Sequence, residues 1–313
     1  DIEDALAYSR EIGVKSMIWY NSTTNWINGA PTPQYRLNKP EDREKEYSWL
    51  NEQGVVGIKV DFFRSDRVED INYYYDLMED AAKHKIYINF HGATLPRGWQ
   101  RTYPHLVSTE AVYGAEWYNN LPVLTNRAAA HNATLPFTRN VIGSMDYTPC
   151  TFTDSQHPHI TTNAHELALT VLFESGLQHL ADRPSSYLNQ PQEVQDFLST
   201  LPSVWDETRL ISGFPGHHAA IARRSGDTWY VGCINGTDEQ LELTLDLTDI
   251  AGEEVTTFMD VPVQMPATLT DPEEIAKYWL IQKGKLSEEG EKLTNYEYKV
   301  TMFPRGGFVL VSK

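Results

Sequence analysis

Apolar positions over the first two-thirds of the chain follow two alternating periods. Ile2, Ala5, Leu6 and Ile12 form a helical stripe between Asp1 and Gly13, with acids in the first turn and glycine at the stop. Val14 to Tyr20 (VKSMIWY) is then a β-type run. Lys39 to Gly54 predicts a second helix, opening at Pro40, where a missing N–H does no harm, and closing at Gly54. Val55 to Val60 is a short β-branched run of the kind buried on both faces of a parallel sheet, and it ends on Asp61. Asp66 to Lys85 predicts a third helix, with Ile71, Tyr74, Leu77, Met78 and Ala81 on one side. Further strands are predicted at Ile86 to Phe90, Leu106 to Glu110, Asn140 to Met145 and Leu177 to Ala181. Helical patterns occupy Asn163 to Ser175, Pro191 to Leu201 and Trp205 to Leu210.

Strands alternating with helices at intervals of about 25–35 residues imply an α/β fold with a parallel sheet. The pattern supplies six strand–helix units, and a (β/α)8 TIM barrel needs eight. The simplest reading is the later part of such a barrel, with the early strands upstream of this chain. An open doubly wound sheet is the competing reading, but no G-x-G-x-x-G or P-loop follows any strand. Near Phe214 to His218 the pattern changes to β-type segments at His217–Arg224, Trp229–Asn235, Gln240–Leu247, Val255–Met259, Tyr278–Ile281, Tyr296–Met302 and Gly307–Val311. No long helix interrupts them, which predicts an all-β antiparallel sandwich of about 95 residues. The expected domains are therefore 1–213, a barrel portion, and 214–313, a C-terminal β-sandwich.

Composition narrows the function. A net charge of −17 over 313 residues, with no basic cluster, argues against nucleic acid or an anionic membrane as partner. Eight Trp and seventeen Tyr suit sugar-stacking surfaces, although cores use them too. Two cysteines far apart define neither a disulfide framework nor a zinc site. No apolar run is long enough to span a bilayer, and no signal peptide opens the chain.

Polar groups gather at the predicted strand ends: Trp19, Lys59, Asp61, His91, Glu110, Glu116, Asp146, His179 and Asp182. A barrel brings such ends to one face. Several carboxylates beside aromatics, with no nucleotide loop, favour glycoside hydrolysis, which needs one acid to attack or direct water and one to protonate the leaving oxygen. No G-x-S-x-G elbow supports serine catalysis. His91 and His179 as zinc ligands of an amidohydrolase-like barrel lack an accompanying H-x-H or H-E-x-x-H.

GIKVDFF at 57–63, INFHGATLPRGWQRTYPHLVSTEAVYGAEW at 88–117 and the later SGFPGHHAAIARRSGDTWYVGCING resemble glycoside hydrolase family 97. The resemblance covers essentially the whole chain. It implies an N-terminal β-sandwich and early barrel strands upstream, belonging to the same polypeptide, and activity on α-glucosides or α-galactosides with an active-site calcium. The inverting, α-glucosidase-type branch resembles His-Glu where this chain has His91-Gly92, and has Gly in place of Asp61. The retaining, α-galactosidase-like branch has the opposite pair, as here. By that resemblance Asp61 is the nucleophile, Glu116 the general acid/base, and Glu110 a calcium ligand, with further ligands expected from outside the chain. Lys59, His91 and Trp19 are the expected substrate contacts, with Lys59 also placed to hold Asp61 ionised. Glu116, which must be protonated first, is expected to be buried or near a like charge. The implied partner is an oligosaccharide or α-galactoside, and the implied location is periplasmic or otherwise exported. The alternatives are an inverting α-glucosidase and a non-catalytic carbohydrate-binding protein.

Overall fold

Four parallel strands organise the first of the two units that the chain forms. The computed structural model describes residues 1–23, 33–118, 120–154, 157–250, 252, 254–260, 279–285 and 296–313. Asp1–Val112, Ile142–Asp146 and Ser175–Leu177 make the first unit; Tyr113–Val141, Tyr147–Glu174 and Gln178–Lys313 make the second.

In the first unit, α1 (Ile2–Glu11) starts on a capping box in which the Asp1 and Asp4 side chains each meet the other's backbone N–H. It is followed by β1 (Met17–Asn21), α2 (Pro40–Glu52), β2 (Gly57–Asp61), α3 (Val68–His84), β3 (Tyr87–Phe90) and β4 (Leu106–Thr109). The strands lie side by side in chain order, all parallel. Tyr47 and Leu50 of α2 and Tyr74, Leu77, Met78 and Ala81 of α3 bury their rings and aliphatic groups with Ile58, Val60, Ile88 and Phe90. Burial of this apolar stripe, rather than helix propensity, holds α3 in place. Arg43, a buried residue of α2, donates from Nε to Asp80 at 2.7 Å and from a terminal nitrogen to the Leu37 carbonyl at 3.1 Å.

The second unit contains α4 (Pro122–Thr125), α5 (Ala128–Thr134), α6 (Asn163–Leu172), α7 (Pro184–Leu188) and α8 (Gln192–Thr200). Its strands are β5 (Glu207–Phe214), β6 (His218–Ser225), β7 (Thr228–Asn235), β8 (Leu241–Asp246), β9 (Glu254–Asp260), β10 (Trp279–Lys285), β11 (Glu297–Met302) and β12 (Gly307–Ser312). A six-stranded antiparallel sheet runs β10-β9-β12-β7-β6-β5, and a two-stranded sheet pairs β11 with β8. Ala220, Val231, Cys233 and Leu310 of the larger sheet share a core with Leu245, Val300 and Met302 of the smaller, so the two form a sandwich. Helix α6 is buried at every position, a pattern that fits a helix covered on all sides. It lies against β6, β7 and β12, and the buried Arg223 caps its C-terminal carbonyls at Val171 (2.7 Å) and Leu172 (3.0 Å).

Three expected elements are corrected. Asn140 to Met145 is not a strand: Arg139–Ile142 is a 3-10 helix, and only Met145 reaches the sheet, through a single bridge to Thr109. Asn140 spends its side chain on the backbone of Glu174, accepting from its N–H at 2.7 Å and donating to its carbonyl at 2.9 Å, the local competition that amide side chains offer to a ladder. Leu177 to Ala181 is likewise irregular; Gln178 instead caps the end of α6 at the Thr170 and Phe173 carbonyls, 2.8 and 2.9 Å away. Trp205 to Leu210 is expected to be helical, yet from Glu207 it belongs to β5, where pairing with β6 overrides a local pattern of apolar spacing. Helices α4, α5 and α7 are not anticipated by the periodicity.

The join of β12 to α6 leaves no space at Gly307, where a Cβ would stand 2.4 Å from both the nitrogen and the Cα of His165. Gly307→Ala is expected to destabilise the second unit by about 3 kcal/mol or more, as overpacking against backbone does. Denaturant unfolding checks this, and an unchanged midpoint would contradict the close approach.

Candidate active site

Each strand of the first unit delivers a polar side chain at its carboxyl end. Strand β2 ends on Asp61; His91 and Gly92 follow β3; Glu110 follows β4; and the Met145 bridge sets Asp146 beside them, its N–H donating to the Thr109 carbonyl at 3.1 Å. This is the edge where α/β proteins assemble their chemistry.

Asp61 is buried, and both of its oxygens are held. The Trp19 indole N–H donates to Oδ2 at 3.1 Å, and the Phe62 backbone N–H donates to Oδ1 at 2.6 Å. Phe62 turns its N–H back onto that carboxylate by adopting φ 64°, a left-handed conformation that costs a bulky L-residue about 1–2 kcal/mol. Neighbours fix the strained turn: the Asp61 carbonyl accepts from the Ser22 N–H at 2.8 Å, and the Phe62 carbonyl accepts from the Ser22 hydroxyl at 2.9 Å. Gly92, at φ 50°, closes the other side. A Cβ there would stand 2.6 Å from Asp61 Oδ1 and 2.9 Å from the Phe62 nitrogen. The space Asp61 occupies therefore exists only while residue 92 has no side chain.

A second acid organises the rest. The Asp146 side chain is fully buried, and one oxygen, Oδ2, lies 2.9 Å from Lys59 Nζ, 2.8 Å from Asn89 Nδ2 and 3.0 Å from His91 Nδ1. The other His91 nitrogen, Nε2, lies 3.2 Å from Glu110 Oε1, and Glu110 Oε2 accepts from the Gly92 N–H at 2.7 Å. Lys59, expected to hold Asp61, is thus ion-paired with Asp146, and His91 spans two carboxylates. Trp19, expected against substrate, hydrogen-bonds Asp61.

Glu116 belongs to the second unit, on the 3-10 helix Ala115–Tyr118. It is exposed there, and burial was one of the two expected means of keeping it protonated. The next residue, Trp117, meets Tyr113 edge to face at 5.2 Å. Asp182, also in this unit, braces a loop. It accepts from the backbone N–H groups of Phe152 (2.8 Å) and Thr153 (2.9 Å) and from the Ser186 hydroxyl (2.7 Å). Burial alone would raise its pKa, but these donors together hold it below the usual carboxylate value. His179 lies in the irregular run after α6.

Sequence reasoning listed Asp146 among the strand-end polar groups without giving it a role, and passed over Asn89. The available signal was period two: Asn89 and His91 flank Phe90 on one face of an otherwise apolar strand.

Two family models match the chain: one described as Glycoside hydrolase 97 over residues 1–112, the other as Glycosyl-hydrolase 97 C-terminal, oligomerisation, over residues 204–313. A probable retaining alpha-galactosidase of Streptomyces bingchenggensis (strain BCW-1) is 41% identical over 231 residues, 74% of this chain and 33% of that protein. A retaining alpha-galactosidase of Bacteroides thetaiotaomicron is 33% identical over 244 residues, 74% of this chain and 36% of that protein. The solved structure of a beta-arabinopyranosidase superposes with a TM-score of 0.87 at 33% identity, covering 99% of this chain and 48% of the other. The chain spans about a third of the length of the curated relatives it matches. Its fold is the later part of a (β/α)8 barrel followed by an antiparallel β-sandwich.

Replacing Asp146 by Asn removes the buried charge that Lys59, Asn89 and His91 share. Asp146→Asn is expected to cost about 3 kcal/mol of stability, the range for breaking a buried ion pair from one side. Chemical denaturation measures it, and a loss below about 0.5 kcal/mol, the level of a surface substitution, would deny Asp146 its central place.

Proposed function

The chain belongs to glycoside hydrolase family 97, and on that premise we propose that it carries the acid pair of a retaining hydrolase acting on terminal α-galactosides. One observation carries the reading: a buried carboxylate, Asp61, held at both oxygens in a space that only Gly92 leaves open. In the first step an Asp61 oxygen attacks C1 of the sugar, the bond from C1 to the leaving oxygen breaks, and Glu116 gives that oxygen its proton. The product is a β-configured glycosyl ester of Asp61. In the second step Glu116 takes a proton from water, the water oxygen bonds to C1, and the ester bond to Asp61 breaks, releasing the sugar with its original α configuration. Lys59 and His91, fixed by Asp146, stand at the same strand ends as Asp61 and would line the sugar side.

Calcium enters this proposal only through Glu110. A calcium shell takes six to eight oxygens at about 2.3–2.6 Å. Glu110 offers one carboxylate, already accepting from Gly92 and facing His91, so the described residues of the first unit do not assemble a complete shell. The reading also takes the protein as exported. No helix among the described residues is long and apolar enough to cross a membrane.

The likeness to a beta-arabinopyranosidase favours a second reading of the substrate. An L-arabinopyranose ring is a galactopyranose ring without its C6 hydroxymethyl group, so a β-L-arabinopyranoside presents the same stereochemistry from C1 to C4. Relative rates on aryl α-D-galactopyranoside and aryl β-L-arabinopyranoside decide between them.

Two predictions test the chemistry. Asp61→Gly is expected to lose nearly all turnover and to regain part of it with azide, giving a β-configured glycosyl azide that NMR identifies; full residual activity would sink the nucleophile assignment. Gly92→Ala should displace the Asp61 carboxylate and lower kcat by about 100-fold, the penalty for misplacing a reacting group by an ångström. Wild-type turnover in that variant, measured on an aryl glycoside, would show that the two positions do not compete for space.

A further inference from the structure

The segment that carries Glu116 is clamped at both ends by groups of the second unit that have no part in the reaction above. At its start, Gly114 packs so tightly that a Cβ would stand 2.5 Å from the Tyr147 carbonyl oxygen, and that oxygen accepts from the Ala115 N–H at 2.9 Å. At its end, the Tyr118 carbonyl accepts from the Thr125 hydroxyl at 3.0 Å, and the Tyr118 phenol enters a buried polar cluster.

The cluster links donors to acceptors in series, with the Tyr118 and Tyr147 phenol oxygens also 3.1 Å apart. Tyr147 O–H donates to Asn132 Oδ1 at 2.5 Å; Asn132 Nδ2 donates to the Tyr118 oxygen at 3.3 Å; Tyr118 O–H donates to Glu166 Oε1 at 3.2 Å. Glu166, on α6, is fully buried and also accepts from the Thr161 hydroxyl at 2.6 Å and the Thr151 N–H at 3.2 Å. Glu166 is the acceptor in its bonds with Tyr118, Thr161 and Thr151, so it is the end of the line for the phenol two residues after Glu116. His165 extends the chain without adding charge. Its Nε2 lies 3.1 Å from Asn132 Nδ2 and its Nδ1 lies 3.2 Å from the Gly306 carbonyl, a pairing that suits the neutral ring. Polar clusters of this kind cost desolvation and repay it as rigidity when fully satisfied.

We infer that the Tyr147–Asn132–Tyr118–Glu166 chain fixes the turn that presents Glu116, making Tyr118 and Glu166 positioning residues for proton transfer to the leaving oxygen. The inference rests on Glu116 as the proton donor. It deepens that reading by assigning the donor's geometry to a helix distant in sequence. A misplaced acid has a kinetic signature that a loosened fold lacks. Proton donation matters greatly when the leaving group is an alcohol and little when it is dinitrophenolate, which departs unaided.

The test compares kcat/KM on methyl and 2,4-dinitrophenyl α-galactosides for the wild-type protein and the Tyr118→Phe, Glu166→Gln and Glu116→Gln variants. Tyr118→Phe and Glu166→Gln are expected to lose about tenfold on the methyl glycoside and less than twofold on the dinitrophenyl one. Equal losses on both substrates would overturn the inference and leave the cluster a purely structural one. Should either variant fail to fold, Thr161→Val, which removes one donor from Glu166 and keeps the phenol, must show the same selectivity in smaller measure; a uniform loss there overturns the inference equally. Glu116→Gln separates the two levels. If it lacks leaving-group selectivity, the proton-donor reading falls and this inference falls with it. If it is selective while the Tyr118 and Glu166 variants are not, only the inference falls.

Discussion

A single desolvated carboxylate oxygen holds the first unit's strand ends together. Asp146 Oδ2 meets an ammonium from β2, an amide from β3 and an imidazole from the residue after β3. Such a charge is unaffordable in an apolar interior unless its lone pairs are taken up, and here three donors from two strands take them up. The consequence is geometric. Because Lys59, Asn89 and His91 must all reach one atom, the register of β2 against β3 and the reach of the segment ending at Asp146 are specified together. Met145 needs only one bridge to Thr109 to put that atom in place, so the segment contributes an acid to the sheet edge without being a strand.

The second constraint is steric, and it couples two positions 31 residues apart in sequence (61 and 92). Asp61 and a side chain at 92 cannot share the volume between β2 and β3, since even a methyl group at 92 would lie 2.6 Å from Asp61 Oδ1. An acid is available from one strand or from its neighbour, and not from both. The acid at 61 and the lack of a side chain at 92 are therefore one packing decision. The strained Phe62 belongs to the same decision: a left-handed turn directly after the acid is what points a backbone N–H at its oxygen.

Much of this was legible in the chain, and the exceptions have common physical causes. Strands β1 to β4 could be read because each is a short apolar run between glycine or proline signals, and apolar periodicity is a property of the segment itself. The antiparallel strands from β6 onward were legible for the same reason, aided by their turns. Asn140–Met145, Leu177–Ala181 and Trp205–Leu210 were misread because their structure is decided elsewhere: by an amide bonding Glu174, by a glutamine capping α6, and by the ladder with β6. At the candidate site, Asp61 could be singled out because a strand-end acid is a local signal. Its steric dependence on Gly92 could not, since a clash between strands has no local signature. Lys59 was assigned the wrong partner for a related reason. Period two places it on the face of Asp61, but side-chain reach, not spacing, led its ammonium to Asp146.

The two proposed catalytic acids illustrate how mounting can follow role. A nucleophile acts best when its oxygens cannot turn, and Asp61 sits at the end of a strand inside a sheet, with an indole and a backbone N–H on separate oxygens. An acid/base residue must exchange protons with solvent-derived water between steps, so it cannot be sealed in the same way. Glu116 stands exposed on a one-turn helix, which by itself is a poor platform, since a 3-10 turn has few and strained hydrogen bonds of its own. Rigidity then has to come from beneath, and the buried phenol of Tyr118 and the carboxylate of Glu166 supply it without closing Glu116 to water. Precision at the strand end is built from backbone geometry, whereas at the turn it has to be borrowed from a distant helix.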